Sequence, residues 1–324
     1  MWLLYVYAQP VYAQPIVRSV VSCWAVKVDE LTFVCFETRA RRRKVVAAMK
    51  RFMTVMLVVS VMVACSGGAE EKIVFADGSV YQGQVLKGKS HGKGMLTFAD
   101  GAKYVGMFSE GVFEGQGVLT EKSGLVTEGA FGKGKINGCG VLAFPKGDKY
   151  VGEFKDGVRS GKGRMIWADG NMFDGEWSND QINGRGVVRR KGLHIYVGEF
   201  KDGKYEGQGV KIYANGDIFQ GIHEKHWPLT GTYLYTNGDK YEGEFKGNRM
   251  HGKGVMMFSN GVKYEGEFAN GSMTGKGVMT FMDGSKYEGD FVDGNMQGKG
   301  VFTSADGQKQ AGSFKDGLMV KNPS

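Results

Sequence analysis

The sequence predicts an all-β fold, an elongated single-layer antiparallel sheet of consecutive β-hairpins in 23-residue repeats. Three observations predict it. The stretch from Tyr264 to Lys286 recurs, with starts at Tyr81, Tyr104, Thr127, Tyr150, Phe173, Tyr196, Phe219, Tyr241, Tyr264, Tyr287 and Gln310. Every step is 23 residues except the 22 from Phe219 to Tyr241, and a fixed period of this size marks a repeat array. Within each repeat, apolar positions alternate with period two between pairs such as Asp156-Gly157, Asn270-Gly271 and Asp293-Gly294, which is the pattern of hairpins with tight turns. Finally, all 53 glycines follow residue 66, and glycine-rich sequence of period two disfavours helix.

The segments before the array read differently. Residues 1–48 contain the pentad Val-Tyr-Ala-Gln-Pro twice, at Val6–Pro10 and Val11–Pro15, and then no helical or strand period. We expect them to be a non-native or disordered N-terminal extension, with translation starting at Met49. From Met49 the reading is that of a signal peptide over residues 49–64. Lys50-Arg51 supply the positive start, and Phe52–Val63 form a 12-residue apolar run. That run is short for a membrane span, which needs about 20 residues, and suits a secretory signal. Met62-Val63-Ala64-Cys65 resembles the bacterial lipoprotein box, with Met62 in place of the usual Leu. The resemblance implies that Cys65 is the lipidation site and the mature N-terminus. The competing reading is an ordinary signal peptide or an uncleaved anchor. With Cys65 acylated, the exported array is expected to fold without an internal disulfide.

Residues 65–72 are expected to be a lipid-anchored linker, residues 73–317 the array, and residues 318–324 a tail. Ile73–Gly78 matches the second half of a repeat and should cap the array. Twenty strands at a spacing of about 4.8 Å would extend roughly 95 Å. Numbering a repeat from 1 to 23, position 1 is aromatic in nine of eleven starts, position 3 is always glycine and position 5 is aromatic in nine. Glycines recur at positions 12 and 14, and an aromatic is usual at position 18, as in Phe98, Trp167 and Phe258. Strand glycines often mark a close approach. Each aromatic ring is therefore expected to lie over a neighbouring glycine. On the other face, position 4 set opposite position 13 would pair Glu153 with Lys162, Glu176 with Arg185, Glu244 with Lys253 and Glu267 with Lys276 inside each hairpin. Such pairs contribute about 0.2–1 kcal/mol each.

The residues Tyr241, Gly243, Phe245, Gly252 and Gly254 carry a resemblance to the MORN repeat (membrane occupation and recognition nexus). Tyr264, Gly266 and Phe268 repeat it in the next copy. The resemblance spans about residues 73–317. It implies consecutive hairpins used to bind proteins or membrane lipids, and it implies no catalytic residues.

Catalytic and metal-ligating constellations are not expected. His91 and His251 occupy position 11, a hydrogen-bonding turn position, and His194 lies in a turn. His223-Glu224-Lys225-His226 lacks the helical spacing of a zinc motif. The recurring Gly-x-Gly precedes no helix that could bind phosphate. Carboxylate pairs such as Glu242 and Glu244 read as solvated ladder charges. The chain's net charge is +8, but residues 1–64 carry nine Lys or Arg against three acids, which leaves +2 for the rest. Basic character at this level does not point to nucleic acid.

Breaks in a repeat rule concentrate at functional or strained sites. Repeat two has Glu121 at the aromatic position. Repeat five ends its second strand with Arg189-Arg190-Lys191, and repeat seven has His223 at position 5, one residue fewer, and His226-Trp227-Pro228. His226, Trp227, Arg189 and Arg190 are therefore the candidate partner-binding residues. Repeat seven is expected to bend the array, with the loop at Pro228 standing away from the sheet. The function expected is a non-enzymatic, membrane-tethered scaffold for a protein partner in the bacterial cell envelope, without cofactor. The alternatives are a phospholipid-binding array and an accessory protein to a cell-envelope enzyme. The balanced Lys and Glu ladder argues against an anionic-lipid site, which needs clustered basic residues.

Overall fold

The computed structural model describes residues 70–320. These form one antiparallel sheet of 23 strands, and every strand pairs with its neighbours in the sequence. No helix is present among the described residues, and so none is long and apolar enough to cross a membrane. The lipidation candidate Cys65 and the signal segment lie outside them. The first strand, β1 (Glu70–Val74), pairs with β2 (Val80–Leu86). The last, β23 (Leu318–Val320), pairs with β22 (Lys309–Lys315). The ladder thus takes in residues 70–72 and 318–320, which the sequence assigns to linker and tail. An end strand gains pairing for its backbone on one side, and loop composition alone does not prevent it.

The two turns of a repeat differ. The tight turn at positions 7 and 8 has positive φ at both residues, as at Asn270 (52°) and Gly271 (95°). This is the mirror-image turn whose twist matches a hairpin. The other turn is held by its own side chains, as where Asp283 Oδ1 accepts the Ser285 N–H at 2.9 Å.

Ring-over-glycine packing is observed wherever position 1 is aromatic; in repeat three, which starts with Thr127, Ile136 covers Gly140 instead. Tyr241 is fully buried, and a Cβ added to Gly254 would lie 2.4 Å from its hydroxyl oxygen and 2.5 Å from its Cε2. No side chain larger than glycine fits beneath such a ring. Successive rings then interlock edge to face. Tyr241 meets Phe245 of its own hairpin at 5.1 Å and Phe268 of the next at 4.9 Å, and Tyr264 repeats this with Phe268 and Phe291. Edge-to-face pairs contribute beyond their buried area, and here they make one sheet supply its own core.

The register inside a hairpin departs from expectation. In β16 (Lys240–Lys246) and β17 (Arg249–Met257), Gly243 opposes Gly254 while Glu244 opposes His251. Gly252 and Lys253 are left bulged, with Gly252 at φ 63°. The same two residues pair across to the next hairpin, Gly252 with Phe268 and Lys253 with Glu267. Position 13 therefore faces position 4 of the following repeat, not of its own. The expected pairs Glu153–Lys162, Glu176–Arg185, Glu244–Lys253 and Glu267–Lys276 are corrected accordingly. Ion pairs join Arg185 to Glu199 at 3.4 Å and Lys276 to Asp290 at 2.5 Å. The carboxylate at position 4 serves its own hairpin differently, accepting the bulge N–H. Glu244 Oε1 accepts Lys253 N–H at 3.1 Å, and Glu176 accepts Arg185 N–H at 2.9 Å.

Repeat seven stays paired within the sheet. In β14 (Ile218–Glu224) and β15 (Trp227–Leu234), Ile222 opposes Thr230 and His223 opposes Pro228, so only Leu229 is bulged. The missing residue is taken from the two-residue bulge, and Gly221 still faces Gly231, which faces Gly243. Pro228 is buried in the strand. A bulge is where an antiparallel pair tolerates a change of residue count and where proline is accepted. The expected loop is thus absent. Cys139 lies exposed on the polar face. It is disulfide-bonded, and the array holds no second cysteine, so it has no disulfide internal to itself. The ladder runs unbroken through it, with Cys139 opposite Glu153.

Candidate binding site

The buried apolar residues fall into two clusters, one running from Tyr81 to Tyr205 and the other from Phe219 to Phe314. At the junction, positions that elsewhere carry mostly aliphatic and aromatic side chains carry Arg190, Lys211 and His223, with His194 beside them. Arg190 and Lys211 lie in β11 (Gln181–Arg190) and β13 (Lys204–Tyr213), and His194 opens β12 (His194–Lys201). Lys211 stands at position 16, where other repeats place Leu96, Met165, Met256 or Met279. Arg190 stands at an aromatic position, and His223 replaces the ring at position 5.

Tyr205 is the centre of this island. Its ring stacks on Tyr196 at 3.9 Å, and its hydroxyl shares a hydrogen bond of 2.8 Å with His194 Nε2. His226 meets its ring edge to face at 4.7 Å. The Lys211 ammonium sits 4.9 Å over the Tyr213 ring, and the Arg190 guanidinium 5.7 Å over Trp167. Neither cation forms an ion pair among the described residues. His223 is only 1% exposed, packs edge to face on Tyr196 and Phe219 at 4.9 Å each, and has no side-chain hydrogen-bond partner, the Gly221 backbone being the polar group that acts on its ring.

The electrostatics follow from burial. Desolvation, then the positive charge of Lys211, hold the His194 and His223 imidazoles down to about 4, so both are neutral at neutral pH. Burial likewise lowers Lys211, and it raises the Tyr205 phenol against the nearby Arg190 charge. Beside the island Asp217 is nearly buried; its carboxylate accepts the Tyr233 hydroxyl at 3.0 Å and the Thr236 N–H at 2.9 Å.

Of the sequence candidates, the structure brings Arg190 and His226 to this island and leaves Arg189 and Trp227 outside it. Arg189 is exposed on the opposite face from Arg190, since neighbours on a strand alternate. Trp227 is 53% exposed at the end of its hairpin. His226 has φ 79° in the tight turn, donates its N–H to Tyr205 O and accepts the Tyr205 N–H at its Nδ1 at 3.2 Å. The sequence placed His194 in a turn, whereas it opens β12, and gave no role to Tyr205 or Lys211. The signal was present in Lys211, an ammonium at a position occupied elsewhere by aliphatic or aromatic residues. No group of three His, Cys, Asp or Glu side chains among the described residues could hold a metal ion.

The family model described as MORN repeat matches residues 81–103, 104–126, 128–149, 150–172, 173–190, 196–218, 241–263, 264–286 and 287–309. Repeat seven is passed over, in line with its shortened bulge. No curated protein matches the chain. Among solved structures, the chain is similar to the SAS-4 (dCPAP) TCP domain of Drosophila melanogaster in complex with a proline-rich motif of Ana2. That likeness has 11% identity and a TM-score of 0.26, and it covers 61% of this chain and 90% of that one. The wild-type TCP10 domain of Danio rerio CPAP gives 8% identity and a TM-score of 0.21, covering 75% and 100%. Likenesses this slight carry no functional argument.

Proposed function

The chain belongs to the MORN repeat family, and from that premise we propose that it is a non-enzymatic scaffold that binds a protein partner through the sheet face carrying the polar island. The observation behind this reading is the break in the core. Charged and imidazole side chains replace apolar ones where two apolar clusters meet, and replacements that cost stability are kept where they serve a function. Membrane tethering is the second part of the proposal. It rests on the resemblance of Met62-Val63-Ala64-Cys65 to a lipoprotein box, and it places the array in the bacterial cell envelope. The binding requires no cofactor.

The test is crosslinking in cells, followed by capture of the full tethered chain. Wild type should capture a defined partner, the double variant Arg190→Phe/Lys211→Met should lose it, and Met282→Ser, at an exposed turn far along the sequence, should keep it. Capture that is equal in all three, or absent in wild type, would refute the scaffold reading. For the tether, mass spectrometry of the mature N-terminus should find acylated Cys65; an unmodified Cys65 refutes it.

A further inference from the structure

We propose that Arg190, Lys211, Tyr205 and His194 form a binding site for a single carboxylate group, borne by a small organic acid or by an acidic peptide side chain. The peptide source rests on the scaffold reading above; the carboxylate site does not.

The cations are arranged as hosts without a guest. Lys211 is 9% exposed, yet no carboxylate neutralises it and its ammonium rests over an aromatic ring. A buried, unpaired charge is costly. Arg190 is exposed at the rim, with its guanidinium over Trp167. A guanidinium presents a planar fork that matches a carboxylate. Tyr205 and half-buried His194 add a hydroxyl and a ring nitrogen beside it. Underneath, His223 is buried with no side-chain hydrogen-bond partner.

Geometry and charge select the ligand class. Burial, then the negative charge of Asp217, raise the Tyr213 phenol, and Tyr213 carries the Lys211 ammonium on its ring. With His194 and His223 neutral, the cations set among these rings are Arg190 and Lys211, while Lys204, Glu199 and Glu206 act from around them. A planar guanidinium fork beside an ammonium suits a carboxylate. The half-buried ring of Tyr213 suits an apolar group attached to the acid.

The repeat itself supplies the test variants. Lys211→Met and Arg190→Phe install side chains that the same positions carry in other repeats, so the fold is expected to hold and the thermal midpoint to stay level or rise. The full chain, with histidine rings isotope-labelled, is titrated with acetyl-Phe-Glu-Phe-amide, with its Gln counterpart, with benzoate and with inorganic phosphate. The expected result is a saturable shift of the His194 and His223 signals with the Glu peptide, absent with the Gln peptide and weakened about tenfold or more in either variant. His91 and His251 should not move. Benzoate matching the Glu peptide would support the site and name a small acid as sufficient; benzoate failing where the peptide binds would name the peptide. No selective shift, equal movement of His91 and His251, unchanged binding in folded Lys211→Met, or tighter binding of phosphate than of either carboxylate would overturn the proposal. Carboxylate binding with no partner captured in cells would leave this site standing and sink the scaffold reading. A captured partner with no carboxylate response would do the reverse.

Discussion

The Tyr264 hydroxyl donates to the carbonyl oxygen of Glu267, three residues further along its own strand, at 3.0 Å. The Thr274 carbonyl lies 3.2 Å from the same hydroxyl. Both carbonyls border the bulge at Gly275, where ladder bonding is interrupted. The tyrosine at position 1 thus does two things: its ring covers Gly277, and its hydroxyl serves backbone acceptors that the bulge releases.

Tyr264→Phe separates these roles. Phe173 and Phe219 show that the ring alone is accommodated at this position. Loss of the hydroxyl should therefore leave the fold intact and lower stability by about 1 kcal/mol, read by urea unfolding. An unchanged midpoint would mean that the hydroxyl contributes nothing at the bulge.

Glu244 should act through its oxygen rather than its charge. In repeat one, Gln84 makes the equivalent bond, its Oε1 accepting Lys93 N–H at 2.9 Å. Glu244→Gln is expected to be neutral, and Glu244→Ala to cost about 0.5–1 kcal/mol. If the two variants lose equal stability, the carboxylate works by its charge.

Trp227→Ala should change stability by less than about 0.5 kcal/mol, because the side chain stands exposed at a hairpin end. A loss of several degrees in the thermal midpoint would show that Trp227 belongs to the core.

The pH dependence has a definite sign. His223 is held down from 6.5 to about 4 by burial and then by Lys211. Between those values the unfolded chain takes up a proton that the folded chain refuses, so stability falls as pH drops from about 6.5 to about 4 and then levels. His194 acts in the same window. His223→Phe should flatten this acid limb in part, and thermal melts across the window would show it. A slope identical to wild type would mean that His223 titrates normally.

Period, turn chemistry and ring-over-glycine packing were all legible in the chain itself. Each is local: strand alternation, Asp-Gly turns and the glycine–aromatic spacing act within one or two neighbouring strands. The sequence also pointed to the neighbourhood of the island, through Arg190, His223 and His226 as departures from the repeat. Which strand each polar residue meets was decided by the tertiary structure. A two-residue bulge beside every Gly-x-Gly moves position 13 from its own hairpin to the next, and its shortened form absorbs the deletion before Gly231 while the strands stay paired. A bulge is a property of two paired strands, so a one-dimensional period of 23 does not reveal it. The same holds for Lys211, whose meaning comes from Arg190 and His194 one repeat earlier and His223 one repeat later, brought together only when the strands pair.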